Sequence, residues 1–167
     1  MKIISVIGHT KSGKTTVVCG LLRAFSADGY SAASVKAIHR EGFTLDRPGS
    51  DTFEHRRSGG VPVCAVTPSE TALFFNPDLP MDEIFGIFRF LKKDIVIIEG
   101  MKKEKFPCVI CAKDEDDARI LSEGKDIICY AGVFTGTYKK SEFLGKPVFG
   151  QDDSARMYRF IKAGIGA

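Results

Sequence analysis

The sequence predicts an α/β fold, a mostly parallel sheet with helices on both faces. Three observations predict it. Short runs rich in isoleucine and valine alternate with segments whose apolar residues recur at helical spacing, the pattern of successive βαβ units. The runs at residues 2–7 and 94–98 are apolar almost throughout, as strands covered on both faces are. The first of them passes directly into a glycine-bounded loop that opens a helix.

In chain order, residues 2–7 are the first strand, and Val17, Val18, Leu21, Leu22 and Phe25 form the apolar stripe of a helix that stops at Gly29. A second strand is predicted over residues 33–38. The polar stretch from His39 to Ser50 has two glycines, a proline and no apolar period, and reads as a functional loop. Asp51-Thr52-Phe53-Glu54 has the spacing of a helix cap led by Asp51, and Gly59-Gly60 closes that short helix. Two strands follow, at 61–66 and 71–75, with a turn near Ser69. A helix starts at Pro80, carries Asp82 and Glu83 in its first turn, places Ile84, Phe85, Phe88 and Leu91 on one side, and ends at Lys92-Lys93. The buried strand 94–98 terminates in Glu99-Gly100. Further strands are predicted near residues 108–112, 127–131 and Val148, with a last helix over 154–163.

A chain of 167 residues, 44% hydrophobic, has enough apolar mass for one core, so residues 1–167 are expected to form a single domain. Its 24 basic and 21 acidic residues leave a formal charge of +3, far from the footprint of a nucleic-acid binder. No apolar run approaches the roughly 20 residues a membrane span needs, and the N-terminus lacks a cleavage pattern, so a cytoplasmic protein is expected. The five cysteines are odd in number and lie mostly in apolar runs, which argues against a disulfide framework. Cys108-Val109-Ile110-Cys111 has a zinc-like spacing, but it reads as a strand with no further ligands nearby.

Gly8-His9-Thr10-Lys11-Ser12-Gly13-Lys14-Thr15 satisfies the phosphate-loop pattern G-x4-G-K-T. Each part has a physical task. Gly8 and Gly13 permit the tight backbone path, and backbone N–H groups from Thr10, Lys11, Ser12 and Thr16 can face phosphate oxygens. Lys14 neutralises the outer phosphates, while the Thr15 hydroxyl can ligate magnesium at the start of a helix whose dipole favours anions. The pattern follows a buried strand and opens an amphipathic helix, the context it requires. The fold is therefore that of a P-loop NTPase. No catalytic role is assigned to the side chains of His9 or Lys11.

Ligands of open parallel sheets bind beyond the carboxyl ends of the strands, so the loops after Ile7, Ile38 and Ile98 should converge. Glu99, at the mouth of a hydrophobic strand, is the expected magnesium and catalytic carboxylate, since a glutamate there is costly to desolvate without a cation or donor. Asp46 and Asp51 lie beyond the second strand, where a further metal or water-positioning carboxylate is expected. Spacing alone does not decide between them: Asp51 also suits a helix cap, and Asp46 is carried as the metal and catalytic candidate.

With these residues in view, the chain resembles the molybdopterin-guanine dinucleotide biosynthesis protein B family. The resemblance is carried by the P-loop, by Val35-Lys36-x-x-His39, by Asp46-x-x-Gly49-Ser50-Asp51-Thr52 with Arg56 and Gly59-Gly60, and by residues 94–102 with Pro107. It implies a homodimeric adapter that binds GTP with magnesium and hydrolyses it slowly. It also implies a partner, the guanylyltransferase that joins GMP to molybdopterin, with molybdopterin as a further ligand. Lys36, His39 and Asp46 are then expected to face the γ-phosphate or the partner. No Asn-Lys-x-Asp guanine-reading motif occurs, and the nearest segment, Thr135 to Lys140, is not one, so guanine preference follows from the resemblance alone. The alternative is a small-metabolite kinase or ATP-dependent ligase of the same fold, in which the loop 39–50 would bind the acceptor. Residues 139–151 supply no arginine for the lid such kinases use.

Overall fold

The computed structural model describes residues 1–166; Ala167, the last residue of the expected domain, lies outside them. The chain divides into two compact units, one formed by Met1–Ile38 with the segment from Phe88 onward, the other by His39–Ile87. In order, β1 (Lys2–Gly8), α1 (Lys14–Ala27) and β2 (Ala32–Lys36) open the first unit. The second contains α2 (Asp51–Arg57), β3 (Val63–Val66), β4 (Thr71–Phe74) and the start of α3 (Met81–Phe90). The chain then returns through β5 (Ile95–Glu99), β6 (Cys108–Cys111), α4 (Glu115–Ser122), β7 (Ile127–Ala131), the short pair β8 (Glu142–Phe143) and β9 (Lys146–Pro147), and α5 (Ser154–Ile165).

The first unit is built on a five-stranded sheet in the order β2-β5-β1-β6-β7, every pairing parallel. Alternate residues of each strand face opposite layers. Ile4 and Val6 of β1, Val109 and Cys111 of β6, and Cys129 and Ala131 of β7 share one core with Val17, Leu21 and Phe25 of α1 and Met157 and Ile161 of α5. Ile7, Cys108, Ile110 and Tyr130 point the other way, into a core with Ala118 and Leu121 of α4, Phe134 and Phe143. Helices therefore cover both faces. Val17, Leu21 and Phe25 are fully buried, and each such burial contributes on the order of 2 kcal/mol, so they dominate the docking of α1. The exposed contact of Asp28 with Tyr158 and Lys162 adds little beside them.

In the second unit, β3 and β4, the two strands expected on either side of a turn near Ser69, pair antiparallel in the register Val63↔Phe74 to Val66↔Thr71. Its turn is closed by Thr67, whose hydroxyl accepts from the Glu70 N–H at 3.0 Å. The cap of α2 sits one residue earlier than expected: Ser50, in extended conformation, accepts from the Phe53 N–H at 3.3 Å, and Asp51 is the first helical residue.

Three features of the last third differ from the sequence expectation. α4 is a full helix capped by Asp114, Val148 makes a single parallel bridge to Tyr130 rather than a strand, and β8–β9 is a minimal hairpin. Cys108 and Cys111 lie in β6 as expected and face opposite cores, so they cannot hold one ion between them. Burial pushes the Cys108 thiol up to about 11 and Cys111 to about 12, and raises Cys129 as well. Cys19 and Cys64 are exposed. A thiol reagent such as Ellman's should therefore titrate two groups in the native protein and all five after denaturation. Rapid reaction of a third native thiol would contradict this packing.

Candidate functional site

The parallel sheet puts the carboxyl ends of β1, β2 and β5 side by side, with Val6 opposite Glu99 and Lys36 opposite Glu99 in register. From the end of β1 the chain turns at Gly8, where an added Cβ would lie 2.1 Å from the Cys111 carbonyl oxygen and 2.5 Å from Ser12 Oγ. Only glycine lets β1 and β6 approach this closely. Lys11 and Gly13 then take left-handed conformations, φ 63° and 91°, which curl the backbone into the phosphate loop. Gly13 caps α1 without any side-chain acceptor, so the first N–H groups of the helix face outward with its positive dipole end.

Residues 11–16 line a cavity of about 330 Å³ with Val133 and Gln151. The Lys14 ammonium donates to the His9 carbonyl oxygen at 2.6 Å, which holds it across the loop and leaves two N–H groups for an anion. Ser12 is fully buried, and its Oγ has no hydrogen-bond partner among the described residues. His9 Nδ1 contacts Asp117 Oδ1 of α4, and Asp117 Oδ2 accepts from the Lys113 N–H at 2.9 Å, so α4 ties down the loop's first turn. The side chain of His9 is thus anchored at one ring nitrogen.

Glu99 is 8% exposed, and its burial is compensated by two neighbours. The Thr15 hydroxyl donates to Oε1 at 3.0 Å, and Lys36 Nζ lies 3.2 Å from Oε1 and 3.4 Å from Oε2. Three residues singled out in the sequence are thereby joined. A hydroxyl beside a carboxylate suits magnesium, which takes few protein oxygens and relies on phosphate and water for the rest. Thr15 and Glu99 would hold it, and Lys36 would share the carboxylate's charge. Replacing Glu99 by glutamine is expected to lower the gain in nucleotide affinity that magnesium confers by roughly tenfold, while binding in chelator stays unchanged. An unaltered magnesium gain in titrations of E99Q would remove Glu99 from the metal site.

The expected residues Gly8, Thr10, Lys11, Ser12, Gly13, Lys14, Thr15, Thr16, Lys36 and Glu99 all belong to the first unit. His39 and Asp46 belong to the second. There Asp46 is 3% exposed and serves its own loop: Thr52 Oγ1 donates to Oδ1 at 2.7 Å, Ser50 Oγ does so at 3.2 Å, and Arg56 lies 3.3 Å from Oδ2. The Arg56 contact is ionic and outside hydrogen-bond geometry, because Oδ2 makes no hydrogen bond.

Several residues at the loop were not legible as site residues. Val133 donates its N–H to the Ser12 carbonyl at 3.2 Å, and the preceding Gly132, φ 100°, packs so closely that a Cβ would lie 2.5 Å from that same oxygen. Gln151 Oε1 would lie 2.8 Å from a Cβ at Gly13. Lys102 is held below the ordinary lysine range first by burial and next by repulsion from Lys14, with Asp117 acting in the opposite direction. The signals for Lys102 were its place just beyond the acidic end of β5 and its inclusion in the segment 94–102 that carries the family resemblance.

The model of the molybdopterin guanine dinucleotide synthesis protein B (MobB) family matches residues 3–132, more than half of the chain. The chain belongs to the MobB family. Among MobB relatives, a Bacillus subtilis protein is 28% identical over 153 residues, 90% of this chain and 86% of its own. A Methanocaldococcus jannaschii relative is 28% identical over 129 residues, and the chain spans only about half, 52%, of its length. The molybdopterin-guanine dinucleotide biosynthesis adapter protein of Escherichia coli is 27% identical over 67% of this chain and 66% of its own. The crystal structure of Bacillus subtilis MobB superposes with a TM-score of 0.77 at 22% identity, covering 97% of each chain, which establishes the MobB fold. Among the described residues, no helix is long and apolar enough to cross a membrane.

Proposed function

We propose that the chain is a GTP-binding adapter of molybdopterin guanine dinucleotide biosynthesis. In this reading it is a single P-loop nucleotide-binding protein, cytoplasmic and homodimeric, with residues 39–87 inserted after β2. It binds GTP with magnesium and assists the guanylyltransferase that joins GMP to molybdopterin, with molybdopterin as a further ligand. The observation that carries the reading is the cluster of Thr15, Lys36 and Glu99 beside the phosphate loop, inside the span the family model matches.

The residues divide the work by charge. Lys14 and the N–H groups of residues 10–16 bind the phosphates, Thr15 and Glu99 orient the cation side, and Lys102 adds positive charge near Lys14. Magnesium, when bound, offsets the charge that builds on the phosphate oxygens. Glu99 is engaged by a hydroxyl and an ammonium rather than directed at a water, which supports slow hydrolysis. Asp46 keeps its proposed metal and catalytic part only if it exchanges its contacts with Ser50, Thr52 and Arg56. With His39, it is assigned to the γ-phosphate or the partner enzyme.

Titration of GTP, ATP and their diphosphates with magnesium tests the nucleotide half of the proposal, and GTP is expected to bind selectively. The rate at which purified guanylyltransferase attaches GMP to molybdopterin, with and without this chain, tests the adapter half. Preference for ATP would replace the adapter by the kinase or ligase alternative, and an unchanged attachment rate would remove the adapter role.

A further inference from the structure

A second cavity, of about 590 Å³, opens beside the phosphate loop and shares Val133 and Gln151 with it. Gly132 and Thr135, from the turn after β7, form one wall; Asp152 and Asp153, from the turn before α5, form the other. The two cavities differ in charge. Lys11 and Lys14 line the first, whereas the second is lined by two carboxylates and by no lysine or arginine. A ligand spanning both must be anionic at one end and rich in hydrogen-bond donors at the other. A nucleotide with a donor-bearing base has that polarity.

The two carboxylates are not equivalent. Asp153 is already paired, its Oδ2 accepting from Arg156 Nη1 at 3.1 Å, and its N–H closes the turn onto the Gly150 carbonyl at 2.9 Å. Asp152 sits at the exposed tip of that turn, and its side chain makes no hydrogen bond or ion pair among the described residues. Guanine presents adjacent N1–H and N2–H donors that a carboxylate can accept together. Adenine offers a lone pair at N1, which a carboxylate repels. Thr135 cannot substitute as the acceptor pair, because it is one hydroxyl and donates to the Gly132 carbonyl at 2.7 Å.

We infer that this cavity is the base pocket of the nucleotide site and that Asp152 selects guanine by accepting from its N1–H and N2–H groups. The inference rests on the nucleotide-binding reading above. It supplies the base selectivity for which the chain has no Asn-Lys-x-Asp motif, using a turn placed on the far side of Gln151.

The test is Asp152→Asn, titrated with GTP, xanthosine triphosphate and inorganic tripolyphosphate in magnesium, beside Asp153→Asn and wild type. In xanthine a C2 carbonyl replaces the amine, so an asparagine can donate to O2 while still accepting from N1–H. D152N is expected to lose roughly tenfold or more in GTP affinity and to gain a similar factor for xanthosine triphosphate. Tripolyphosphate binding should be unchanged, and D153N should keep the wild-type preference. A misfolded variant could not reproduce a reciprocal exchange of bases. If wild type binds GTP and D152N binds it equally well, or loses it without the xanthosine gain, Asp152 is not the reader and the phosphate site stands. If wild type binds neither GTP nor tripolyphosphate, the nucleotide reading falls and the base pocket with it.

Discussion

Alanine at position 14 is expected to lower magnesium–GTP affinity by about a hundredfold, the equivalent of two charge-assisted hydrogen bonds. The reasoning follows from what Lys14 already does. One of its three N–H groups is spent on the His9 carbonyl at 2.6 Å, and that bond holds the ammonium at the loop. The remaining two are left for an anion, beside the outward-facing N–H groups at the start of α1. The loop's own shape does not depend on that single contact. Gly13, Lys11 and the Val133 N–H to Ser12 carbonyl bond hold it independently, so Lys14→Ala should fold normally. Calorimetric titration of GTP into wild type and K14A reads the effect directly. Affinities within threefold of each other would mean that the loop does not bind phosphate in the expected way.

On the proposed reading, the same arrangement suits binding more than turnover. A carboxylate that is to activate water must have a free lone pair directed at it. Glu99 instead sits between Thr15 and Lys36, which occupy its oxygens with a hydroxyl and an ammonium rather than a water.

The elements legible in the sequence were those whose burial is complete. β1 and β5 are nearly continuous apolar runs because both of their faces are buried, and the stripe of α1 is five residues long, so period and length agree. α4 escaped because only Ala118 and Leu121 of its eight residues are buried. Its signal was the cap: Asp114 accepts from the Asp117 N–H at 2.8 Å, three residues on, at the head of an acidic turn. At α2 the cap signal was seen one residue late, because Ser50 and Asp51 are both good caps and only the extended backbone of Ser50 decides between them. For the site, local motifs found Lys14, Thr15 and Glu99. Val133 and Gln151 have no motif of their own. They reach the loop only because β7 is the outer strand of the sheet and the chain returns past it before α5, which spacing along the sequence does not encode.

Gly8 offers the sharpest check on the packing beneath the site. Gly8→Ala is expected to destabilise the protein by about 3 kcal/mol, near the upper range for overpacking a core position. The new methyl would meet the Cys111 carbonyl oxygen at 2.1 Å and Ser12 Oγ at 2.5 Å, and neither is the end of a long, mobile side chain. Relief requires the end of β6 to move away from its register partner Gly8. That movement would strain the Ala112 N–H to Ala131 carbonyl and Phe134 N–H to Ala112 carbonyl bonds, both 3.2 Å. Gly29→Ala is the appropriate comparison. Gly29 has φ 86° and nothing within 4 Å of an added Cβ, so alanine there incurs only left-handed strain, about 1 kcal/mol. Urea denaturation of both variants, with the slope unchanged, should place the G8A midpoint well below that of G29A. Equal midpoints would show that β1 and β6 are not packed as closely as the register requires. A lower midpoint for G8A, with weakened GTP binding, would tie the phosphate loop's shape to the contact between those two strands.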